Sequence, residues 1–370
     1  MLTAIPEFVR SAAAFVVVLG VLVFVHEFGH YLAARWRGVR VEAFSIGFGR
    51  AITSWTDSRG TVWKLAWLPL GGYVKLHGQE RPQDVPEDVR AAWIPGQTFH
   101  DKPVLSRAII VAAGPIANFV LAMVLFSALF VALGTPVALP VVGAVMPDSA
   151  ASRAGLMVND RIVTIAGEPI VTFENLQHAI AIHPAQTVAM TIQRDGTERK
   201  IEVTTDAHES GGHQVGLLGV RGGTVEYQHV SVPVAIWSGV AQTWTITSET
   251  FSGLTQMISG SRGTDDLGGP LRIAQLSGQV AQLGFASLIS FIGVLSVNLG
   301  LINLFPIPVL DGGHLLFYAA EALRGRPLPQ RAQEYGFRAG LAFLACLFVF
   351  ATWNDLTHLG VFRWVAGLIG

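Results

Sequence analysis

Two histidines and a glutamate in the segment His26-Glu27-Phe28-Gly29-His30 are the residues best suited to chemistry in this chain of 370 residues. On a helix, residues four apart lie on one face about one turn apart, so the two imidazoles reach a common point. Imidazole nitrogen is a preferred ligand of Zn²⁺, and a glutamate beside the pair reaches a water held by the ion. The spacing therefore predicts a hydrolytic metal site with His26 and His30 as ligands and Glu27 as the general base.

The sequence before this segment strengthens the prediction, because residues 12–25 are all apolar. Ionisable groups at membrane depth are costly and usually functional. One alternative is a polar cluster that only ends the helix, and another is a haem or di-iron site whose remaining ligands are missing. Residues 12–25 also have the length of a signal-peptide core. We favour a membrane span at residues 9–35, because cleavage near Ala34 would remove the histidines.

A metal site that keeps one position for water needs a third protein ligand, and Asp311 is the candidate. It ends the run Asn303-Leu-Phe-Pro-Ile-Pro-Val-Leu-Asp311 and precedes Gly312-Gly313. Proline and glycine break helices, and such breaks are tolerated at membrane depth where the backbone lines a cavity, so the Asp311 carboxylate can turn inward. A helix cap or turn is the alternative role for Asp311. Asn303 is either a substrate-binding residue or an interhelical hydrogen-bonding residue, and His314 is assigned to the surroundings of the metal.

The composition is typical of a membrane protein. Hydrophobic residues make up 51% of the chain and charged residues 14%, and the mean hydropathy is +0.47. The formal net charge of -1 argues against a nucleic-acid-binding protein, and a single cysteine excludes a disulfide framework and a multi-cysteine zinc site. Apolar stretches predict three further spans, centred on residues 108–133, 285–304 and 339–354.

Lysine and arginine residues predict the orientation of these spans. Eleven of them lie between the first and second spans, four lie between the third and fourth, and one precedes the first. Cytoplasmic loops carry the excess of basic residues, so both loops are predicted to be cytoplasmic and residues 137–272 external. The first and third spans then run in the same direction. This places His26, His30 and Asp311 at a common depth near the cytoplasmic side.

The section between the second and third spans predicts a separate β-rich domain at residues 137–226. Residues 173–182 are predicted to form a helix, and Asp195-Gly196 predicts a hairpin turn. Residues 231–260 carry a helical stripe of apolar side chains, and this helix either lies on the membrane surface or packs on the β-rich domain. The predicted strands are 141–145, 161–165, 188–193 and 200–204.

The chain resembles the site-2 protease family of intramembrane zinc metalloproteases. The resemblance is carried by the segment His26 to His30, by the segment Asn303 to Asp311, and by Gly114-Pro115 with Asn118 in the second span. Residues 149–167 resemble the PDZ domain family, in which an extended peptide adds to a sheet edge beside a helix. One such domain between the second and third spans resembles the bacterial regulator-of-sigma-E protease branch. A small β-rich spacer without a ligand is the alternative for this domain.

The resemblance implies a zinc metalloendopeptidase that cuts within or near the transmembrane segment of single-span membrane proteins. Regulated intramembrane proteolysis of an anti-sigma factor or a leftover signal peptide is the implied process. The resemblance implies one Zn²⁺ held by His26, His30 and Asp311, with Glu27 as the catalytic residue and Asn303 binding the substrate. The implied partners are transmembrane substrates, the lipid bilayer, and a peptide C-terminus or strand at the PDZ domain, with no nucleic acid.

The implied location is the bacterial inner membrane, with multiple spans, the PDZ domain in the periplasm and the active site near the cytoplasmic side. The resemblance also implies a membrane-reentrant β-sheet within residues 41–76, for which a plain cytoplasmic hairpin is the alternative. The two rival functions are a non-catalytic PDZ-containing membrane adaptor and an ion transporter. The intact Glu27 and Asp311 disfavour the adaptor, and four spans without an evident inverted repeat disfavour the transporter.

The predicted fold class is a polytopic α-helical membrane protein with four transmembrane helices, an inserted β-rich PDZ domain and a membrane-reentrant β-sheet. In chain order, the predicted segments are the first transmembrane helix 1–40, a cytoplasmic or reentrant β loop 41–103, the second transmembrane helix 104–136, the PDZ domain 137–226, an amphipathic linker 227–282, the third transmembrane helix 283–320, a cytoplasmic loop 321–336 and the fourth transmembrane helix 337–360.

Overall fold

A computed structural model describes residues 7–80, 85–210, 213–261, 263 and 268–358. Residues 1–6 and 359–360 of the predicted first and fourth transmembrane segments lie outside the described residues. The chain divides into two compact units. The helical unit comprises Met1–Leu129 and Ile236–Gly370, and the β-rich unit comprises Phe130–Ala235.

The described residues form ten helices and twelve strands. The helices are α1 (Glu7–Trp36), α2 (Glu87–Ala91), α3 (Val104–Leu133), α4 (Ala150–Arg153), α5 (Phe173–Ala181), α6 (Val232–Ile258), α7 (Pro270–Gln282), α8 (Phe285–Leu304), α9 (Asp311–Arg324) and α10 (Gln330–His358). The strands are β1 (Val41–Thr56), β2 (Val62–Leu76), β3 (Thr135–Ala138), β4 (Val142–Val145), β5 (Arg161–Ile165), β6 (Glu168–Pro169), β7 (Thr187–Arg194), β8 (Thr197–Thr204), β9 (Asp206–Ser210), β10 (His213–Leu217), β11 (Val220–Gly222) and β12 (Val225–Gln228).

Four of the described helices, α1, α3, α8 and α10, are long and apolar enough to cross a membrane. A helix satisfies its backbone polar groups internally, which is why apolar segments of this length adopt it in lipid. These four helices coincide with the four apolar stretches of the sequence. The predicted fold class, a helical membrane protein with an inserted β-rich domain, is therefore confirmed.

Glycine residues bring α3 into close contact with two other membrane helices. A methyl group on Gly29 of α1 would overlap the backbone of Ala113 in α3. A methyl group on Gly300 of α8 would crowd the carbonyl oxygen of Pro115 and the ring of Phe119. Small residues at such crossings let helix backbones approach closely, which favours helix packing in lipid. α3 is thus packed between α1 and α8.

The chain between α8 and α10 is broken twice. α8 ends at Leu304, residues 305–310 are not helical, and α9 begins at Asp311. Gly325, with φ of 68°, ends α9 in the left-handed conformation that glycine adopts without strain. α10 begins five residues later, directly after Pro329. Within the predicted cytoplasmic loop 321–336, the non-helical residues are therefore 325–329.

The long strands β1 and β2 form an antiparallel pair with several shifts in register. Phe44 lies opposite both Val74 and Trp63, so the sheet curls back on itself. The inner end is buried against α1, where the Phe44 ring lies 6.1 Å from the Tyr31 ring. The outer end exposes a group of large apolar side chains, namely Phe48, Ile52, Trp55, Leu65, Trp67 and Leu68.

The β-rich unit has its own hydrophobic core. A four-stranded antiparallel sheet in the order β6-β5-β7-β8 packs Ile162, Ile192 and Val203 against Leu176 of α5. β7 and β8 are joined by Asp195-Gly196, with φ of 50° and 77°, which is the two-residue hairpin turn that this dipeptide favours. Alternation of buried and exposed residues along β7 follows from one face packing on the core.

Candidate metal centre

Three ligand atoms from the two ends of the helical unit converge on one point. The Nε2 atoms of His26 and His30 lie 3.3 Å apart. Oδ2 of Asp311 lies 3.1 Å from Nε2 of His26 and 3.5 Å from Nε2 of His30. In the described part of the chain, these three residues form the cluster of histidine and carboxylate groups that could hold a metal ion.

The spacing of these atoms suits a tetrahedral zinc ion. Ligands at about 2.1 Å from a tetrahedral Zn²⁺ lie roughly 3.4 Å from one another, which matches the three separations. Oδ2 of Asp311 is buried and has no hydrogen bond of proper geometry, so a cation would satisfy an otherwise unpaired oxygen. Two imidazoles and one carboxylate leave a fourth position for water, as catalytic zinc sites do. The residues present therefore fit the ion.

α1 and α3 together set the position of the two imidazoles. The His26 and His30 rings project from successive turns of α1, with centroids 4.9 Å apart and planes at 86°. Gly114 of α3 lies directly behind the His30 ring, and a methyl group there would overlap the imidazole. The absence of a side chain at Gly114 therefore makes the space that His30 occupies.

Each imidazole also has a partner at its other nitrogen, and both partners lie on α3. Nδ1 of His30 lies 2.9 Å from the carbonyl oxygen of Ile110, and Nδ1 of His26 lies 3.1 Å from the side-chain amide nitrogen of Asn118. The sequence assigns no role to Asn118 beyond its part in the family resemblance. Asn118 and His26 are 92 positions apart, and a local sequence pattern cannot indicate a contact between residues so far apart.

Asp311 is the first residue of α9, where the partial positive charge of the helix N-terminus favours a carboxylate. The tight turn before it depends on the two glycines that follow. A methyl group on Gly312 would overlap the carbonyl oxygen of Phe305, and one on Gly313 would overlap that of Ile307. Val309 has φ of 94°, a conformation that is strained for a β-branched residue. The strained turn aims the Asp311 carboxylate at the histidines.

One cavity of about 870 Å³ is lined by the residues predicted for the metal centre and its surroundings, namely His26, Glu27, His30, Asn303, Asp311 and His314. Glu27 lines it beside the two histidines. Asn303 also lines it, and one N–H of its amide donates to the carbonyl oxygen of Leu299 at 3.0 Å, leaving its other N–H and its oxygen for a ligand. His314 also lines it, one helical turn after Asp311 in α9, and its ring centroid is 5.3 Å from that of Phe337. One stretch of β2, Gly72 to Leu76, also faces the cavity through Gly72, Tyr73, Val74 and Leu76.

A largely buried ion pair between α3 and α9 lines the cavity. The guanidinium of Arg107 donates to both carboxylate oxygens of Glu321, at 2.7 and 3.2 Å, and lies 5.0 Å from the centroid of the Tyr318 ring. This pair is not predictable from the sequence, because its partners are 214 positions apart and each resembles an ordinary surface charge.

Comparison with known proteins gives a consistent result. The model of peptidase family M50 matches residues 14–347. A Rhizobium meliloti protein provisionally named zinc metalloprotease is 44% identical over 358 residues, covering 93% of this chain and 96% of that protein. Metalloprotease MmpA of Caulobacter vibrioides is 37% identical, covering 95% and 96%. Regulator of sigma-E protease RseP of Escherichia coli is 32% identical, covering 95% of this chain and 100% of that protein.

A solved structure resembles part of the chain. The PDZ domain of an SdrC-like protein from Listeria monocytogenes covers 22% of this chain at 18% identity, with a TM-score of 0.20. That score is too low to carry an argument about the fold. The family match and the alignments with the relatives, by contrast, cover nearly the whole chain.

Proposed function

Because the chain belongs to peptidase family M50, a family of metalloproteases, we propose that it is an intramembrane protease with one Zn²⁺ held by His26, His30 and Asp311. The predicted resemblance to the site-2 proteases is confirmed by the family match and by the relatives. The observation that carries the proposal is the convergence of three ligand atoms within 3.5 Å, contributed by helices at opposite ends of the chain.

Glu27 and Asn303 have separate roles in the proposed hydrolysis of the peptide bond. When bound, the ion lowers the pKa of a water molecule towards 7 and polarises the carbonyl group of the peptide bond. Glu27, on the same cavity wall as the ligands, removes a proton from the water and later delivers it to the leaving amine. The free N–H of Asn303 donates to the substrate backbone near the bond that is cut.

The proposed substrate is the transmembrane helix of a single-span membrane protein. A helix hides its carbonyl groups in backbone hydrogen bonds, so the segment must unwind before it is cut. The stretch Gly72 to Leu76 of β2 faces the cavity and offers a strand edge to an unwound segment. The exposed apolar side chains at the outer end of the β1–β2 pair favour its insertion into the bilayer, which supports a reentrant sheet.

We propose the bacterial inner membrane as the location, with the β-rich unit in the periplasm and the metal centre near the cytoplasmic side. The two basic loops support this orientation. The β-rich unit is proposed to act as a PDZ domain that receives a peptide C-terminus or strand. Anti-sigma factors and signal-peptide remnants are the proposed substrates, by analogy with the relative named as a regulator of sigma-E.

The decisive experiment separates the base from the metal ligands. Glu27→Gln, in purified full-length protein, should abolish cleavage of a tagged single-span substrate and keep the zinc content, because the amide cannot take a proton. Glu249→Gln, the same change at an exposed position of α6, should leave cleavage intact. Undiminished cleavage by the Glu27 variant would remove Glu27 as the base.

Asp311→Asn tests the ligand set separately. Replacing the carboxylate with a neutral amide should lower the zinc content measured by elemental analysis, together with cleavage. Asp148→Asn, in the β-rich unit, is the matched control and should keep both. Full zinc occupancy in the Asp311 variant would exclude Asp311 as a ligand.

A further inference from the structure

The nitrogen of His26 that faces away from the metal centre has a buried partner. Nδ1 of His26 lies 3.1 Å from the side-chain amide nitrogen of Asn118. Asn118 is completely buried in α3, and its carboxamide oxygen has no hydrogen-bond partner among the described residues. A buried carbonyl oxygen without a donor is unfavourable, so the orientation of this amide needs an explanation.

The orientation of the Asn118 amide decides which nitrogen of His26 carries the proton. An NH₂ group turned towards Nδ1 can only donate, so Nδ1 must be unprotonated and the proton must lie on Nε2. A carboxamide oxygen turned towards Nδ1 accepts a hydrogen bond from Nδ1–H, which leaves Nε2 with a free lone pair. The two orientations have almost the same shape and occupy the same space.

His30 shows which tautomer the centre requires. Its Nδ1 lies 2.9 Å from the carbonyl oxygen of Ile110, and a carbonyl oxygen can only accept. Nδ1 of His30 therefore carries the proton, and the lone pair of its Nε2 is left for an ion held between Nε2 of His26 and Oδ2 of Asp311. His26 needs the same tautomer to bind the same ion, and the side chain placed to enforce it is Asn118.

We propose that Asn118 is a positioning residue for the metal: its carboxamide oxygen accepts a hydrogen bond from Nδ1–H of His26 and so keeps the Nε2 lone pair directed at the ion. This inference rests on the proposed function, because it takes His26 as a ligand. Exchange of the amide atoms gives the unpaired oxygen of Asn118 a donor. Ile110, Gly114 and Asn118 follow at four-residue spacing, so one stripe of α3 supports both imidazoles from behind.

Two substitutions show whether the Asn118 side chain accepts a hydrogen bond from Nδ1 of His26 or donates one to it. Aspartate has nearly the shape of asparagine but can only accept, so Asn118→Asp should bind zinc at least as tightly as the wild type. Leucine is similar in size and offers no acceptor, so Asn118→Leu should weaken zinc binding by about 10- to 100-fold. Zinc affinity is measured on purified full-length protein by competition with a chromophoric chelator, beside the thermal unfolding midpoint of each variant.

Ser296→Ala is the matched control. The Ser296 hydroxyl donates to the backbone oxygen of Asn118 at 2.8 Å, so it contacts the same residue from α8 without reaching the imidazole. Its removal should leave the zinc affinity unchanged. If Ser296→Ala weakens zinc binding as much as Asn118→Leu does, helix packing rather than the tautomer explains the loss, and the proposal is overturned.

Weakened zinc binding in a folded Asn118→Asp variant would show that the amide donates to His26, and would overturn the proposal. Wild-type affinity in Asn118→Leu would do the same. Should Asn118→Leu not fold, Asn118→Asp decides alone, because the two orientations predict opposite results for it. A wild-type chain that holds no zinc removes the proposed function and this inference together, whereas a zinc-binding wild type with a deficient Asn118→Asp removes only this inference.

Discussion

Gly114 and Gly20 are two glycines of membrane helices with opposite surroundings. A methyl group at Gly114 would overlap the His30 imidazole, whereas one at Gly20 would meet no atom within 4 Å. Alanine is intrinsically favoured over glycine in a helix by about 0.5–1 kcal/mol, so neither change is unfavourable for the helix itself. Any difference in zinc affinity between alanine variants at the two positions therefore comes from the lost space behind the His30 ring.

Gly114→Ala should displace His30 and weaken zinc binding by about tenfold or more, the range found when a group that orients a metal ligand is lost. Gly20→Ala is the control and should keep the wild-type affinity. Both are measured by chelator competition on folded protein. Equal zinc affinity in the two variants would contradict this expectation, because it would mean that α3 can move away from His30 and make room for the methyl group.

At the scale of elements, Asp160 and Arg194 join the start of β5 to the end of β7. Nε and Nη2 of Arg194 donate to the two oxygens of Asp160 at 2.7 and 2.6 Å, and the backbone N–H of Met157 donates to Oδ2 at 2.8 Å. Burial acts to raise the pKa of Asp160, but these hydrogen bonds outweigh it and hold the pKa below its usual value. The ionised form is thus favoured by folding.

A lowered carboxyl pKa gives stability that is present above the pKa of the unfolded chain, near 4, and that is lost as the pH falls through the lower folded value. The free energy of unfolding of a soluble fragment spanning the β-rich unit should therefore decline below about pH 4. Asp160→Asn should be destabilised at pH 7, on the order of 2 kcal/mol, with a smaller decline in acid. Denaturant titrations at several pH values test this. Parallel pH profiles for the two proteins would contradict it.

The ion pair between Arg107 and Glu321 joins α3 to α9, the helix that begins with Asp311. Because both side chains are largely buried, removing one charge leaves the other without a partner. Glu321→Gln should therefore loosen α9, lower the thermal unfolding midpoint and weaken zinc binding through Asp311. The exposed Glu334→Gln in α10 is the control. An unchanged midpoint and affinity in Glu321→Gln would show that the pair does not position α9.

At the scale of the whole molecule, the orientation in the membrane can be read with single cysteines, because Cys346 is the one cysteine of the sequence. In a Cys346→Ala background, Asp195→Cys at the tip of the β7–β8 hairpin should react with an impermeant maleimide in spheroplasts. Arg326→Cys, between α9 and α10, should react only after the membrane is permeabilised. The reverse pattern would invert the proposed orientation.

The sequence predicts best what depends on short-range pattern. The apolar stretches locate the four membrane helices, and Asp195-Gly196 predicts the turn between β7 and β8. The helical spacing of His26 and His30, together with a shared membrane depth for Asp311, predicts a cluster that the structure also contains. These features follow from hydrophobicity, turn chemistry and helix periodicity.

Contacts between distant parts of the chain escape such patterns. The partners of Arg107 and His26 are found on other helices, and nothing near either residue in the sequence identifies Glu321 or Asn118. Asp355 is a similar case, because its carboxylate accepts hydrogen bonds from the backbone at the start of α7, including Gly269 at 2.8 Å. The curl of the β1–β2 pair is also hidden, since register shifts depend on what each strand packs against.

The close contact of Gly29 with Ala113, and of Gly114 with His30, has a mechanical consequence. Helices whose backbones touch without intervening side chains cannot slide or tilt independently. α1 and α3 therefore form one rigid pair of helices that fixes the position of both imidazoles. Any widening of the cavity that admits a polypeptide therefore leaves the separation of the two imidazoles unchanged.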